Sequence, residues 1–151
     1  VREIARITGV PKTSVARLLK TLLKEGLILR RKDVVWGYAA HENSSLFRLK
    51  KKIHFLEKLH ACGLVGYVED IFHPTCIVLF GSFSKGEYHK DSDIDLFVQA
   101  AKRSYDATAF EKKLRHPVNL FFEENLNALS PELFNNIING IKLTGYIKIR
   151  S

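Results

Sequence analysis

The sequence contains few of the features that mark a secreted, membrane-bound or cysteine-ligated metal protein. Its two cysteines, Cys62 and Cys76, lack the paired spacing of a zinc site, so they indicate buried thiols in a reducing compartment. No apolar run approaches the length of a transmembrane helix, and no signal-peptide pattern opens the chain. We therefore expect a cytoplasmic protein that has no membrane partner.

Clustered histidines are also lacking. The six histidines form no metal-binding cluster in the sequence, and we expect each to be a surface or packing residue. They are His41, His54, His60, His73, His89 and His116.

The two parts of the chain differ in charge. The 151 residues, 46% hydrophobic and 26% charged, are typical of a soluble globular protein with one ordinary domain or two small ones. Residues 1–60 hold 14 Lys and Arg against 5 Asp and Glu, a net charge of +9, whereas residues 61–151 hold 10 against 11, a net charge of −1. This asymmetry predicts a polyanionic partner for the N-terminal part.

One stretch, residues 77–98, combines the parts of a phosphate and metal site. Its sequence, IVLFGSFSKGEYHKDSDIDLFV, predicts a buried strand, a Gly-Ser turn into a short helix, a loop and a second strand. Asp93 and Asp95 point the same way on a strand, and two such carboxylates repel each other unless a cation lies between them. Gly81 and Ser82 open a helix whose backbone N–H groups can hold phosphate. The combination indicates a nucleoside triphosphate bound with a divalent ion.

The same residues resemble a known family. The Gly81-Ser82 pair, Gly86 and the string from Ser92 to Leu96 are similar to the DNA polymerase β-like nucleotidyltransferase superfamily, and most of all to its minimal nucleotidyltransferases. The resemblance covers roughly residues 65–150. It implies that Asp93 and Asp95 are catalytic and bind Mg²⁺ or Mn²⁺. The nucleotide contacts that it implies are Gly81, Ser82, Lys85 and Ser92, with Lys90 as a further phosphate neighbour.

Alternatives stay open for three of these side chains. Ser92 either caps the loop or touches phosphate, and Lys85 and Lys90 are either phosphate contacts or solvated surface lysines.

The third catalytic carboxylate of that superfamily is missing. The family places it on a third strand, where this chain has Val118-Asn119-Leu120. An amide oxygen is a weak metal ligand and cannot act as a general base, so Asn119 puts catalysis in question. Glu123 lies on the same strand face about 13 Å further on. It could take the missing role only if the strand bends or ends early, and Glu124 faces the other way.

The N-terminal part has the pattern of a DNA-binding head. Residues 1–8 and a stripe of apolar residues after Pro11 predict two helices joined by a turn at Gly9. Pro11 suits a helix start, and the hydroxyls of Thr13 and Ser14 could cap it. Strands are expected at Leu27–Leu29 and Val34–Trp36.

This string resembles the winged helix-turn-helix regulators, which implies double-stranded DNA binding through residues 1–40. The expected contacts are Lys12, Thr13, Ser14, Arg17 and Lys20 on the second helix, and Arg30, Arg31 and Lys32 on the wing. A helix-turn-helix that serves only protein contact is the alternative. Such domains usually carry an earlier helix, and the chain begins at Val1 without methionine, so we expect that a preceding segment is missing.

The expected fold is α+β. We place the winged helix-turn-helix at residues 1–42, a connector helix at 43–63 and a small mixed-sheet α/β nucleotidyltransferase domain at 64–151. The connector is either a solvated helix or a dimerisation helix. Strands are expected at Cys76–Phe80, Ile94–Val98, Pro117–Phe122 and Tyr146–Ile149, and helices at Val65–Phe72, Asp106–His116 and Ser130–Gly140.

Three functions fit these patterns. The first is an active prokaryotic nucleotidyltransferase that transfers a nucleoside monophosphate from an NTP, with ATP expected, to an unknown acceptor hydroxyl. The second is a DNA-binding transcriptional regulator whose transferase domain is a degenerate nucleotide sensor. The third is a partner-binding module without either activity. The resemblance also implies a partner protein of toxin–antitoxin type, and a homodimer is possible.

Overall fold

The computed structural model describes residues 1–33, 35 and 37–149, which fall into two compact units, residues 1–50 and residues 51–151. The first unit contains α1 (Arg2–Thr8), α2 (Lys12–Lys24), β1 (Ile28–Arg30), β2 (Tyr38–Ala40) and the start of α3 (Ser45–Ala61). The second contains the rest of α3, then α4 (Leu64–Phe72), β3 (Cys76–Phe80), α5 (Gly81–Lys85), β4 (Ile94–Val98), α6 (Thr108–Leu114), β5 (Val118–Phe122), a 3₁₀ turn (Leu126–Ala128), α7 (Pro131–Ile138) and β6 (Ile141–Gly145). Within the described part of the chain, no helix is both long and apolar enough for a membrane crossing.

The first unit is a helix-turn-helix followed by a hairpin. Gly9 ends α1 with a φ of 68°, which turns the chain into α2. The buried side chains of Ala5, Val15 and Leu19 form its core, against which Tyr38 packs. Pro11 is the N-cap of α2 and no side chain caps this helix, so the expected capping by Thr13 or Ser14 is wrong.

The second strand of the hairpin lies later than the sequence suggests. We expected it at Val34–Trp36, of which Val34 and Trp36 lie outside the described residues and Val35 lies in a turn. The strand is β2, in which Tyr38 pairs with Arg30 and Ala40 with Ile28. Tyr38 packs against the core of the first unit, and this contact favours the position of β2.

The second unit is built on a mixed four-stranded sheet in the order β5-β4-β3-β6. β3 runs antiparallel to β4 and β6, whereas β4 and β5 are parallel. Every residue of β3 is buried because both faces of the sheet are covered. One face packs on α3, α4 and α6 through residues such as Ile77, Leu96 and Leu120, and the other packs Phe97 against Leu126 and Ile137. The α+β class and the mixed sheet are confirmed.

The end of the chain corrects one prediction. Tyr146–Ile149 is not a strand, because β3 takes its edge partner from Ile141–Gly145, directly after α7. The segment that follows is held by one side chain instead. Gln99, 3% exposed, donates hydrogen bonds from Nε2 to the carbonyls of Lys148 (2.6 Å) and Glu124 (3.1 Å), and its Oε1 accepts one from the Lys148 N–H (3.0 Å).

We expect Gln99→Glu to destabilise the protein by at least about 2 kcal/mol, since it removes two donors and directs a carboxylate at two carbonyl oxygens. Urea unfolding of both proteins measures this loss. Asn139→Ala is the control, because it removes an amide that donates to Asn135 O from an exposed position, and we expect a loss below about 1 kcal/mol there. Equal losses in the two variants would contradict the buried role of Gln99.

Candidate functional site

The candidate site lies at one end of the sheet, where β4 and β5 place polar side chains next to each other and β3 leads into Gly81. Asp95 at the start of β4 pairs with Phe80 of β3 on one side and with Asn119 of β5 on the other. Asp93 precedes β4 and points the same way as Asp95, as two-residue spacing requires. The parallel pairing of β4 with β5 therefore brings Asn119 beside the two carboxylates.

Gly81, the first residue of α5 directly after β3, forms one side of the site. Its φ is 72°, a conformation that favours glycine, and a Cβ at this position would lie 2.7 Å from Asp95 Oδ2. Its carbonyl accepts a hydrogen bond from the buried Ser84 hydroxyl at 2.7 Å, which fixes the first turn of α5. Sequence reasoning missed Ser84, whose spacing of three from Gly81 was the available signal. Gly81 thus allows the Asp95 carboxylate to lie against the backbone, where any larger residue would collide with it.

The Asn119 amide joins the two aspartates. Its Nδ2 donates to Asp95 Oδ1 at 3.1 Å and to Asp93 Oδ2 at 3.4 Å. Burial raises the pKa of the Asp95 carboxyl; the hydrogen bond from Asn119 acts against this rise and the charge of Asp93 adds to it. The amide therefore supplies the positive end of a dipole at the place where two like charges would otherwise face each other.

The donor set suits a hard divalent cation. Carboxylate oxygens are preferred ligands of Mg²⁺ and Mn²⁺, and Asn119 could add its amide oxygen if the amide turned over. In the described part of the chain, no three His, Cys, Asp or Glu side chains are grouped so as to hold a metal ion. Two carboxylates would suit one cation, and they would not hold a pair of cations by protein ligands alone.

The loop before Asp93 is fixed by two histidines. The buried Ser92 hydroxyl accepts a hydrogen bond from the His89 N–H at 2.9 Å, so that it caps the loop, and its contact with phosphate stays a prediction. His116, which lies just before β5, places its Nδ1 2.8 Å from Ser92 O. We expected His89 and His116 to be surface or packing residues, and no local pattern indicates that their contacts hold the chain next to Asp93.

The remaining expected residues divide into two groups. Ser82 is half-buried next to Gly81, whereas Lys85 and Lys90 are exposed, and their contact with phosphate stays a prediction. Glu123 cannot replace the missing carboxylate: β5 ends at Phe122, the Glu123 N–H lies against Val98 O, and its Oε1 accepts the Asn125 N–H at 3.0 Å. That is the end of the sheet opposite Asn119.

In the first unit, α2 presents a basic outer face. The expected contacts Lys12, Thr13, Arg17 and Lys20 are exposed, and Ser14 is half-buried. On the wing, the hydrogen bond and ion pair from the Arg31 guanidinium hold the pKa of Asp33 below its usual value, so that the charge of Arg31 is already partnered. The Arg30 guanidinium lies 5.6 Å from the centre of the Tyr38 ring. Arg17 and Lys20 are exposed, whereas the charge of Arg31 has a carboxylate partner.

Comparison with known proteins finds a family model that matches each part of the chain. The family model described as "Nucleotidyltransferase domain" matches residues 61–148, and the model described as "IclR helix-turn-helix domain" matches residues 1–32. No curated protein matches the chain. A solved structure described as "Crystal structure of the toxin-antitoxin with AMP-PNP" is 28% identical, with a TM-score of 0.44, and the match covers 60% of this chain and 73% of that chain.

Proposed function

Because the chain belongs to the nucleotidyltransferase domain family, we propose that its second unit binds a nucleoside triphosphate and transfers the nucleoside monophosphate to an acceptor hydroxyl. The observation that carries this proposal is the row of Gly81, Asp95 and Asn119 at one sheet end, with Asp93 beside it. It combines a glycine turn at the start of a helix with charged oxygen ligands for a cation.

Each residue of the row has a separate task. Asp93 and Asp95 would hold Mg²⁺ or Mn²⁺, which when bound neutralises phosphate charge and orients the triphosphate. Gly81 and Ser82 would hold the phosphates through backbone N–H groups at the start of α5, which a glycine allows a ligand to approach closely. Asn119 cannot take a proton from the acceptor, so this chain would rely on positioning and charge.

The transfer is a single in-line displacement at phosphorus. The acceptor oxygen forms a bond to the α-phosphorus, and the bond from that phosphorus to the bridging oxygen breaks. Pyrophosphate leaves with the electron pair, and the hydroxyl proton passes to solvent.

ATP labelled at the α-phosphate tests this proposal. We expect the label, but not a γ-label, to become attached to an acceptor offered as protein, oligoribonucleotide or the chain itself, and only when Mg²⁺ or Mn²⁺ is present. An Asp93→Ala/Asp95→Ala variant should transfer none. Transfer by that variant at the wild-type rate would place the reaction elsewhere.

A second candidate function follows from Asn119. The amide already occupies the position between the two carboxylates, so nucleotide binding could persist while catalysis is lost. The chain would then be a DNA-binding regulator that senses a nucleotide. The partner protein of toxin–antitoxin type remains a prediction from the family resemblance.

We also propose that the first unit binds double-stranded DNA through α2 and the hairpin. The match to a helix-turn-helix domain and the exposed cations of α2 support this role. The first residues of α2 would face base edges, and the lysines and the wing would contact phosphates.

Arg17→Ala should weaken duplex binding and lower the slope of log affinity against log salt by about one, because one phosphate neutralisation is lost. Arg31→Ala is the matched control and should change the slope less, since Asp33 already partners that guanidinium. Fluorescence anisotropy of a labelled random duplex across a salt series measures both slopes. Equal changes, or no binding by the wild type at low salt, would contradict the assignment.

A further inference from the structure

An aromatic ring is exposed beside the carboxylates. Phe121 follows Asn119 by two residues on β5, so both side chains lie on the same face, about 6.6 Å apart along the strand. Phe121 is 40% exposed, whereas Phe80 and Phe97 on the neighbouring strands are buried. The Phe80 ring, 6% exposed, meets it edge to face with centroids 5.4 Å apart. This contact restricts the orientation of the Phe121 ring without covering it.

The pair of rings, Phe80 and Phe121, lies next to the carboxylate of Asp95. Phe80 and Asn119 flank Asp95 on the two neighbouring strands, and Phe121 pairs with Phe97 one step further along the same face. The rings of Phe80 and Phe121 therefore approach each other across β4, directly beyond Asp95. A ligand whose phosphate lies at Asp95 has an apolar surface within reach along the strands.

Reaction geometry indicates which part of a nucleotide would lie there. If the leaving phosphates lie at Gly81, on the β3 side, in-line attack brings the acceptor from the opposite side, across β5. The bond from the α-phosphorus to the nucleoside then points roughly at right angles to that line, along the strands or away from the sheet.

We infer that Phe121 stacks against the nucleobase of the bound triphosphate. This inference rests on the proposed function and adds the substrate's base-binding contact to it. Every base has an aromatic face, so stacking selects for a planar ring and not for one base. We therefore expect ATP and GTP to bind within a few-fold of each other.

Titration of ATP and of inorganic tripolyphosphate, each with Mg²⁺, separates the base from the phosphates. We expect Phe121→Ala to weaken ATP binding by roughly five- to a hundred-fold and to leave tripolyphosphate binding unchanged. Phe121→Trp should retain ATP affinity, whereas Phe121→Leu should recover only part of it. Tyr146→Ala is the matched control, because it removes an exposed aromatic ring that follows β6, and it should change neither affinity.

Three results would overturn the inference. ATP affinity that is unchanged in Phe121→Ala would show that the base lies elsewhere, and an equal loss of tripolyphosphate binding would show a general effect on the site. If the wild type binds neither ligand, the proposed function fails as well, and that result is distinct from the other two.

Discussion

Replacing Asn119 by aspartate is expected to raise the rate of nucleotidyl transfer by about 10²- to 10⁴-fold, the usual contribution of a general base. The register pairs this residue directly with Asp95, so a carboxylate there would complete the three-carboxylate arrangement of the superfamily. The new carboxylate could accept the acceptor's proton, which the amide cannot. The release of pyrophosphate from ATP with Mn²⁺ or Mg²⁺ measures the rate.

The same variant should lose stability when no divalent cation is present. Asn119 Nδ2 lies 3.1 Å from Asp95 Oδ1, so an aspartate would replace a hydrogen bond with a contact between like charges. We expect a lower unfolding temperature than wild type in chelator and a recovery on adding Mn²⁺. Asn136→Asp, which adds the same charge at an exposed position on α7, should show neither effect. No gain in rate together with unchanged stability would contradict the assigned place of Asn119.

Asp95→Asn is expected to weaken Mg²⁺-dependent ATP binding by at least about 100-fold. Changing a residue that only hydrogen-bonds to a metal ligand already lowers metal affinity or activity by about 10- to 100-fold, and a ligand itself should matter more. The unfolding temperature of the free protein should stay equal or rise. Burial raises the pKa of Asp95. Above that pKa the carboxyl is charged, and the buried charge lowers the free energy of unfolding. A neutral amide of the same shape removes this loss of stability.

Thermal unfolding with and without ATP and Mg²⁺ distinguishes these effects. Wild type should be stabilised by the ligand and Asp95→Asn should not, although the variant is at least as stable alone. A variant that unfolds early without ligand would instead assign Asp95 a structural role. A variant that keeps the full ligand-induced shift would exclude Asp95 from the nucleotide site.

The local parts of the site could be predicted from the sequence, because they depend on short-range geometry. The two-residue spacing of Asp93 and Asp95 places them on one strand face, and the Gly81-Ser82 pair between a buried strand and a helix marks a turn. These patterns, together with the family resemblance, also indicated Asn119 as the third position. That these residues contact a nucleotide and a metal ion stays a prediction.

The contacts that complete the site depend on pairings between distant segments. The contact of Asn119 with both aspartates requires the parallel register of β4 and β5, and the contact of His116 with Ser92 joins residues that are 24 positions apart. The last strand was misplaced for the same reason, since β3 pairs with Ile141–Gly145 through long-range bonds that no local pattern records. Phe121 carried no sequence signal, because an exposed phenylalanine on a strand reads as a core residue.

The central claim is that Gly81, Asp93 and Asp95 form a nucleotide site that works with a divalent cation. Calorimetric titration of ATP into the full chain, with and without Mg²⁺ and alongside Asp93→Ala/Asp95→Ala, tests it most directly. We predict saturable binding by wild type that requires Mg²⁺ and is absent in the double variant. Binding that is equal with and without Mg²⁺, or no binding by wild type at all, would contradict the claim.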